Sequence, residues 1–183
     1  MAVRAILLYP DDEAALRKVS ERVKKNDPQI GTLAQDLIDT LLANPGAGLS
    51  APQIGVHKRV AVVCFGQEEG DMKAPTVLVN PQIVERGPLA GGFDGCLSIP
   101  GFATWDTLRP SWLVFTARDA QRKPIRMRVE GIDARLVDHE IDHMDGKLFL
   151  DLLQPDSRLF VAQIDENGEE KLIPVSVLIN RAK

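Results

Sequence analysis

Five consecutive residues, His139-Glu140-Ile141-Asp142-His143, combine two imidazoles and a carboxylate at a spacing suited to hydrolytic metal chemistry. On a helix, residues four apart are offset by only about 40°, so both rings face the same way. They can grip one cation, and the carboxylate between them can reach a water beside it. Histidine is scarce in this chain: two of its three fall inside this pentapeptide. The third, His57 in His57-Lys58-Arg59, reads as a surface residue.

Two imidazoles leave a catalytic zinc-type centre one protein ligand short. The extended protease pattern HExxHxxGxxH holds through Gly146 and then meets Phe149 in place of a third His. A downstream glutamate is the other common solution. Glu166, Glu169 and Glu170 are available, but they flank Asn167-Gly168, which reads as a turn. Cys96, in Asp94-Gly95-Cys96-Leu97-Ser98, is the better candidate. A thiolate is a strong ligand for zinc or ferrous iron, and a glycine-containing bend can aim it at a helix face. Cys64 ends the apolar run Arg59–Phe65 and reads as a small buried hydrophobe.

A further stretch, Gly46-Ala47-Gly48-Leu49-Ser50-Ala51-Pro52-Gln53-Ile54-Gly55, carries three glycines and a glutamine. The glycines let backbone approach a substrate closely, and the Gln53 amide can donate a hydrogen bond. No Lys-Ser/Thr pair opens a helix after it, so it is not a phosphate cradle.

The elements that must position these residues follow from periodicity and punctuation. Residues 11–25 place acidic residues first and basic residues last, the order favoured in a helix. Ile30, Leu33, Leu37 and Leu41 predict a second helix over 30–43, stopped by Asn44-Pro45-Gly46. Residues 131–145 form the third candidate, with Gly146 where a C-terminal glycine belongs. Apolar runs predict strands at 60–65, 76–84, 112–117 and 124–129. The tail reads as a hairpin, 160–164 with 172–179, turning at Asp165-Glu166-Asn167-Gly168. Helices and strands do not alternate strictly, so the class is α+β.

Bulk properties narrow the rest. The 183 residues fit one domain, 1–183, with no internal repeat or long linker. A formal charge of -4 argues against a general phosphate-binding surface and against direct DNA binding. The 22 basic residues are spread along the chain and leave room for a small local patch. No stretch approaches the roughly 20 apolar residues that span a bilayer, so no membrane partner is expected. The opening residues resemble neither a signal nor a transit peptide, which makes the cytoplasm the expected compartment.

Taken together, GAGLSAPQ (46–53), DGCLS (94–98) and HEIDH followed by MDG (139–146) resemble the peptide deformylases in motif, order and interval. The likeness runs from about residue 5 to residue 152. It implies mixed or antiparallel sheets around a central helix that carries the HExxH motif. It implies Cys96, His139 and His143 as metal ligands and Glu140 as the catalytic carboxylate. It assigns Gln53 and the Leu97 N–H to the oxyanion, and Gly46, Gly48 and Gly95 to the line of the substrate backbone. The implied metal is ferrous iron, with nickel, cobalt or zinc able to replace it. The implied substrates are N-formylmethionyl nascent peptides, met through a transient ribosome association, with formate as the product. One departure is plain: Asp94 stands where the family has Glu, one methylene shorter. Arg109 is the candidate partner of Asp94, while the rest of residues 101–110 stays unassigned. Ile132 and Leu136, on the helical face of His139, are candidates for an apolar wall that receives the methionine side chain.

Overall fold

The computed structural model describes residues 2–66, 74–164 and 170–177. Glu166, Glu169 and residues 178–179 of the expected tail strand lie outside the described residues, while residues 175–177, expected as strand, are helical: β9 ends at Pro174, a residue that suits the entry to a helix. In chain order the elements are α1 (Glu13–Leu16), α2 (Ile30–Leu42), β1 (Gly48–Ser50), a 3-10 turn (Ala51–Ile54), β2 (Val60–Val63) and β3 (Thr76–Arg86). Then come β4 (Leu89–Cys96), β5 (Ile99–Pro110), β6 (Trp112–Arg118), β7 (Pro124–Glu130) and α3 (Gly131–Met144). A second 3-10 turn (Phe149–Leu152), β8 (Leu159–Ile164) and β9 (Glu170–Pro174) complete the order.

The strands form two antiparallel sheets, β1-β2-β3-β6-β7 and β4-β5-β8-β9. The first lies between two helices, and β2 shows why. Its residues are buried on both faces. Val60 and Val62 join a cluster with Leu33, Leu37 and Leu41 of α2. Ala61 and Val63 join another with Val137, Ile141 and Met144 of α3. A strand covered on both sides needs a continuous apolar run, and Val60–Val63 supplies one. Each fully buried Val or Leu contributes roughly 1.5–3 kcal/mol. The HExxH helix is thereby locked against the centre of the sheet.

Phe149 is buried beside Leu16, Ile99 and Leu148, in a third cluster against which Cys96 packs. The residue at the position of a third His therefore belongs to the core beneath Cys96. Gly146 has φ +73°, and a side chain there would run into the Arg17 carbonyl. The glycine that ends α3 thus also admits a close chain crossing.

Two further expectations are corrected. The helix expected over 11–25 is limited to Glu13–Leu16. Beyond it, tertiary bonds win: Ser20 N–H donates to Met144 O, Glu21 bridges Lys58, and Val23 N–H donates to the Asn80 side chain. His57 is half-buried rather than on the surface, and its Nδ1 has no hydrogen-bond partner among the described residues. Burial, with Lys18 nearby, pushes its pKa down. β1, β4 and β5 went unread in the sequence. β4 (LAGGFDGC) is weak in strand formers and has three glycines, and its pairing with β5 is bulged at Gly92 and near Cys96.

Candidate metal centre

α3 fixes two groups by its own geometry. The His139 and His143 Nε2 atoms lie 3.1 Å apart, with the ring planes at 81°. The third donor arrives from the other sheet. Cys96 ends β4, and its pairing with Ile99 encloses the two-residue turn Leu97-Ser98. The Cys96 Sγ stands 3.1 Å from His143 Nε2. One ligand atom from each of the three residues lies within 4.8 Å of the others.

The shell behind these groups fixes their orientation. Asp94 Oδ1 is 2.7 Å from His139 Nδ1, and its other oxygen accepts from Arg109 Nε at 2.7 Å and from Thr107 Oγ at 3.1 Å. Burial alone would raise the Asp94 pKa, but His139 and Arg109 hold it well below the usual carboxylate range. An ionised Asp94 keeps the proton on Nδ1 and turns the His139 Nε2 lone pair toward the centre. The expected Asp94–Arg109 pair is therefore present. Arg109 is 1% exposed, and its Nη1 also donates to Asp138 at 2.9 Å and Asp142 at 2.8 Å. Burial works against its charge, and the carboxylates overcome that cost and hold it protonated.

Burial would likewise raise the Cys96 thiol, but His143 and His139 pull it well below the ordinary value. Gln53 is clamped at one end: its Oε1 accepts from the Ser50 N–H at 2.8 Å and the Ser50 hydroxyl at 2.9 Å. That turns the amide nitrogen inward, 3.5 Å from Cys96 Sγ and 3.2 Å from Ser98 Oγ. Glu140 is 3% exposed, and its Oε2 has no hydrogen-bond partner among the described residues. Burial raises its pKa against the pull of the two imidazoles.

The glycines differ in surroundings. A side chain at Gly48 would collide with the Glu140 carboxylate and with Leu136. One at Gly46 would meet Leu97 at 2.9 Å, and one at Gly95 would meet the Phe93 ring at 3.2 Å. Ile132 lines a cleft of about 280 Å³ with Gly91, Gly92, Phe93 and Arg135. Leu136 packs instead beside Gly48 and the second core cluster.

The donor set suits a divalent metal. A thiolate and two imidazoles match zinc or ferrous iron. A buried carboxylate oxygen without a partner is costly unless something else is meant to meet it.

The sequence profile described as polypeptide deformylase matches residues 3–159. The chain belongs to the polypeptide deformylase family. It is 44% identical over 153 residues to a peptide deformylase of Alkalilimnicola ehrlichii, covering 84% of this chain and 83% of that one. A peptide deformylase of Desulforudis audaxviator is also 44% identical over 153 residues, covering 82% and 94%. Among solved structures, a peptide deformylase from Legionella pneumophila superposes with a TM-score of 0.74 at 41% identity, over 84% of this chain and 88% of that one. The Ehrlichia chaffeensis enzyme in complex with actinonin gives 0.76 at 36%, over 85% and 91%. The deformylase reaction, removal of the N-formyl group from the formylmethionine of new polypeptides with release of formate, is the function of this chain.

Sequence reasoning missed Asp138 and Asp142 as anchors of Arg109. They are one helical turn apart and face the same way, which was a readable signal. It also missed Arg135, whose guanidinium donates to the carbonyls of Ala90, Gly92, Phe93 and Thr107 and ties α3 to the hairpin carrying Cys96. No local pattern announces such contacts.

Proposed function

We propose that Cys96, His139 and His143 hold a divalent metal, ferrous iron with nickel, cobalt or zinc able to replace it, and that Glu140 moves the proton of the reaction. The observation that carries this reading is the convergence of three donor atoms within 4.8 Å beside a buried carboxylate oxygen that lacks a partner. A cation there supplies Lewis acidity, lowering the pKa of a water and polarising the formyl oxygen. Glu140 accepts a proton from the attacking water as its oxygen bonds to the formyl carbon. Charge growing on the formyl oxygen is met by the Gln53 amide, pinned for that task by Ser50, and by the Leu97 N–H in the turn after Cys96. Glu140 then passes the proton to the amine nitrogen as the C–N bond breaks, leaving formate and a free N-terminus. Its raised pKa suits a group that must both take and return a proton.

Gly46 and Gly95 leave backbone open for the substrate chain, and Gly48 leaves room for the Glu140 carboxylate. Ile132, on the wall of the cleft, receives the methionine side chain. The chain acts as a single domain, 1–183, in the cytoplasm, meeting its substrates at the ribosome. A thiolate ligand favours a reducing compartment, and no helix among the described residues is long and apolar enough to cross a membrane. Glu140→Ala tests the central role: bound metal is retained while formate release from formyl-Met-Ala-Ser falls about 10²–10⁴-fold. Wild-type turnover in that variant contradicts the assignment.

A further inference from the structure

The chain is acidic overall, yet its fold gathers basic residues on one face. Segments 18–27, 57–59 and 118–123 hold nine of the 22 Lys and Arg residues and only three of the 26 Asp and Glu. They are far apart in sequence and are joined by backbone contacts. Glu21 N–H donates to His57 O, and Arg59 N–H donates to Glu21 O. Arg122 donates to the carbonyls of Lys24 and Asp27, and Arg118 donates to Arg122 O. Lys58 is held by Asp27 at 2.6 Å. Lys18, Arg22, Lys24, Lys25, Arg118 and Lys123 are exposed, and among the described residues none is paired with a carboxylate. The face is anchored to the C-terminal end of α3, where Ser20 N–H reaches Met144 O and Arg59 pairs with Asp145. The metal ligands sit on the preceding turns of that helix.

Six exposed cations with no carboxylate partner among the described residues, in a chain of net charge -4, mark a surface for a polyanion. Residues 17–29 carry no helix, so the face lacks the amphipathic element that would enter a lipid headgroup layer. We propose that this face docks on the phosphate backbone of structured RNA, read by shape and charge rather than by sequence. The inference rests on the reading that the enzyme meets its substrates at the ribosome, whose surface offers such RNA. Docking there would hold the deformylase near emerging chains through contacts separate from Cys96, Glu140 and Gln53. Double-helical RNA suits a cationic surface, because proteins bind it mainly through phosphate and 2′-hydroxyl contacts.

The test compares the full-length metal-loaded enzyme with two triple variants of equal charge change. R22Q/K24Q/K25Q lies on the face, and R126Q/R128Q/R158Q lies elsewhere on exposed positions. The probes are purified ribosomes, a labelled RNA duplex of about 16 base pairs, and vesicles containing phosphatidylglycerol. The first variant is expected to lose at least tenfold in affinity for ribosomes and duplex, with the slope of log K against log salt reduced by about 2–3. The second is expected to lose less than twofold. Turnover of formyl-Met-Ala-Ser stays at wild-type level in both, and that arm separates failure of this inference from failure of the catalytic reading. Equal losses in the two variants, no saturable binding of wild type to either RNA probe, or tighter binding to vesicles through the same three residues would each overturn the proposal.

Discussion

The two sides of the candidate metal centre are built in opposite ways. On the helix side, His139 and His143 are aligned by the repeat of α3, and five residues of sequence suffice to place them. On the hairpin side, Cys96 ends a bulged, glycine-rich strand, and Gln53, in a 3-10 turn more than 40 residues before it, is aimed locally by Ser50. Nothing local aims Cys96. Asp94, Arg109 and Arg135 do so by tying the hairpin to α3. A rigid local motif thus supplies two of the proposed ligands, and a network of largely buried charges brings the third donor to meet them. The hairpin side should accordingly be the fragile one, failing through residues that never touch the substrate.

Arg109→Leu breaks that comparison most severely. It leaves buried Asp94 and Asp138, and half-buried Asp142, without their common cation, and losing one partner of a buried pair costs about 3–5 kcal/mol. Urea unfolding monitored by circular dichroism should show that loss, together with weakened metal retention. A midpoint within error of wild type would mean that the hairpin is held by other contacts.

Gly48→Ala probes the helix side. The added methyl group pushes against the Glu140 carboxylate, and a catalytic group misplaced by about 1 Å can cost on the order of 10²-fold. Formate release should fall by about that factor while metal content, measured by plasma emission, stays at wild-type level. Loss of metal alongside activity would show that β1 supports the ligands as well as the carboxylate.

Asp94→Asn is the gentlest of the three. It keeps the shape and removes the charge that orients His139, so competition with a chelator should show metal affinity reduced about 10–100-fold. An unchanged affinity would assign the orientation of His139 to some other contact.

This division also explains what could be read from the sequence. α3 was legible to within a residue at its ends, because Gly131, Gly146 and the paired histidines are local signals. β2 was legible because Val60–Val63 is apolar throughout. β4 and β5 were not, because Gly91, Gly92 and Gly95 suppress the alternation that marks a strand, and Arg109 is a core residue without looking like one. The helix expected over 11–25 shows the converse. Its charge order is favourable, but burying Val23 and reaching Met144, Lys58 and Asn80 outweighs local preference. Asp94 could be paired with Arg109 from the sequence; Asp138 and Asp142 were readable as one face of α3, but that Arg109 is their partner emerges only with α3 and β5 side by side.

X-ray absorption at the metal edge, on anaerobically purified and active protein, tests the central claim most directly. The account predicts one sulfur at about 2.3 Å and two imidazole nitrogens at about 2.0–2.1 Å for a zinc-loaded sample, with the sulfur shell lost in Cys96→Ser. A wild-type spectrum fitted by nitrogen and oxygen alone would contradict it.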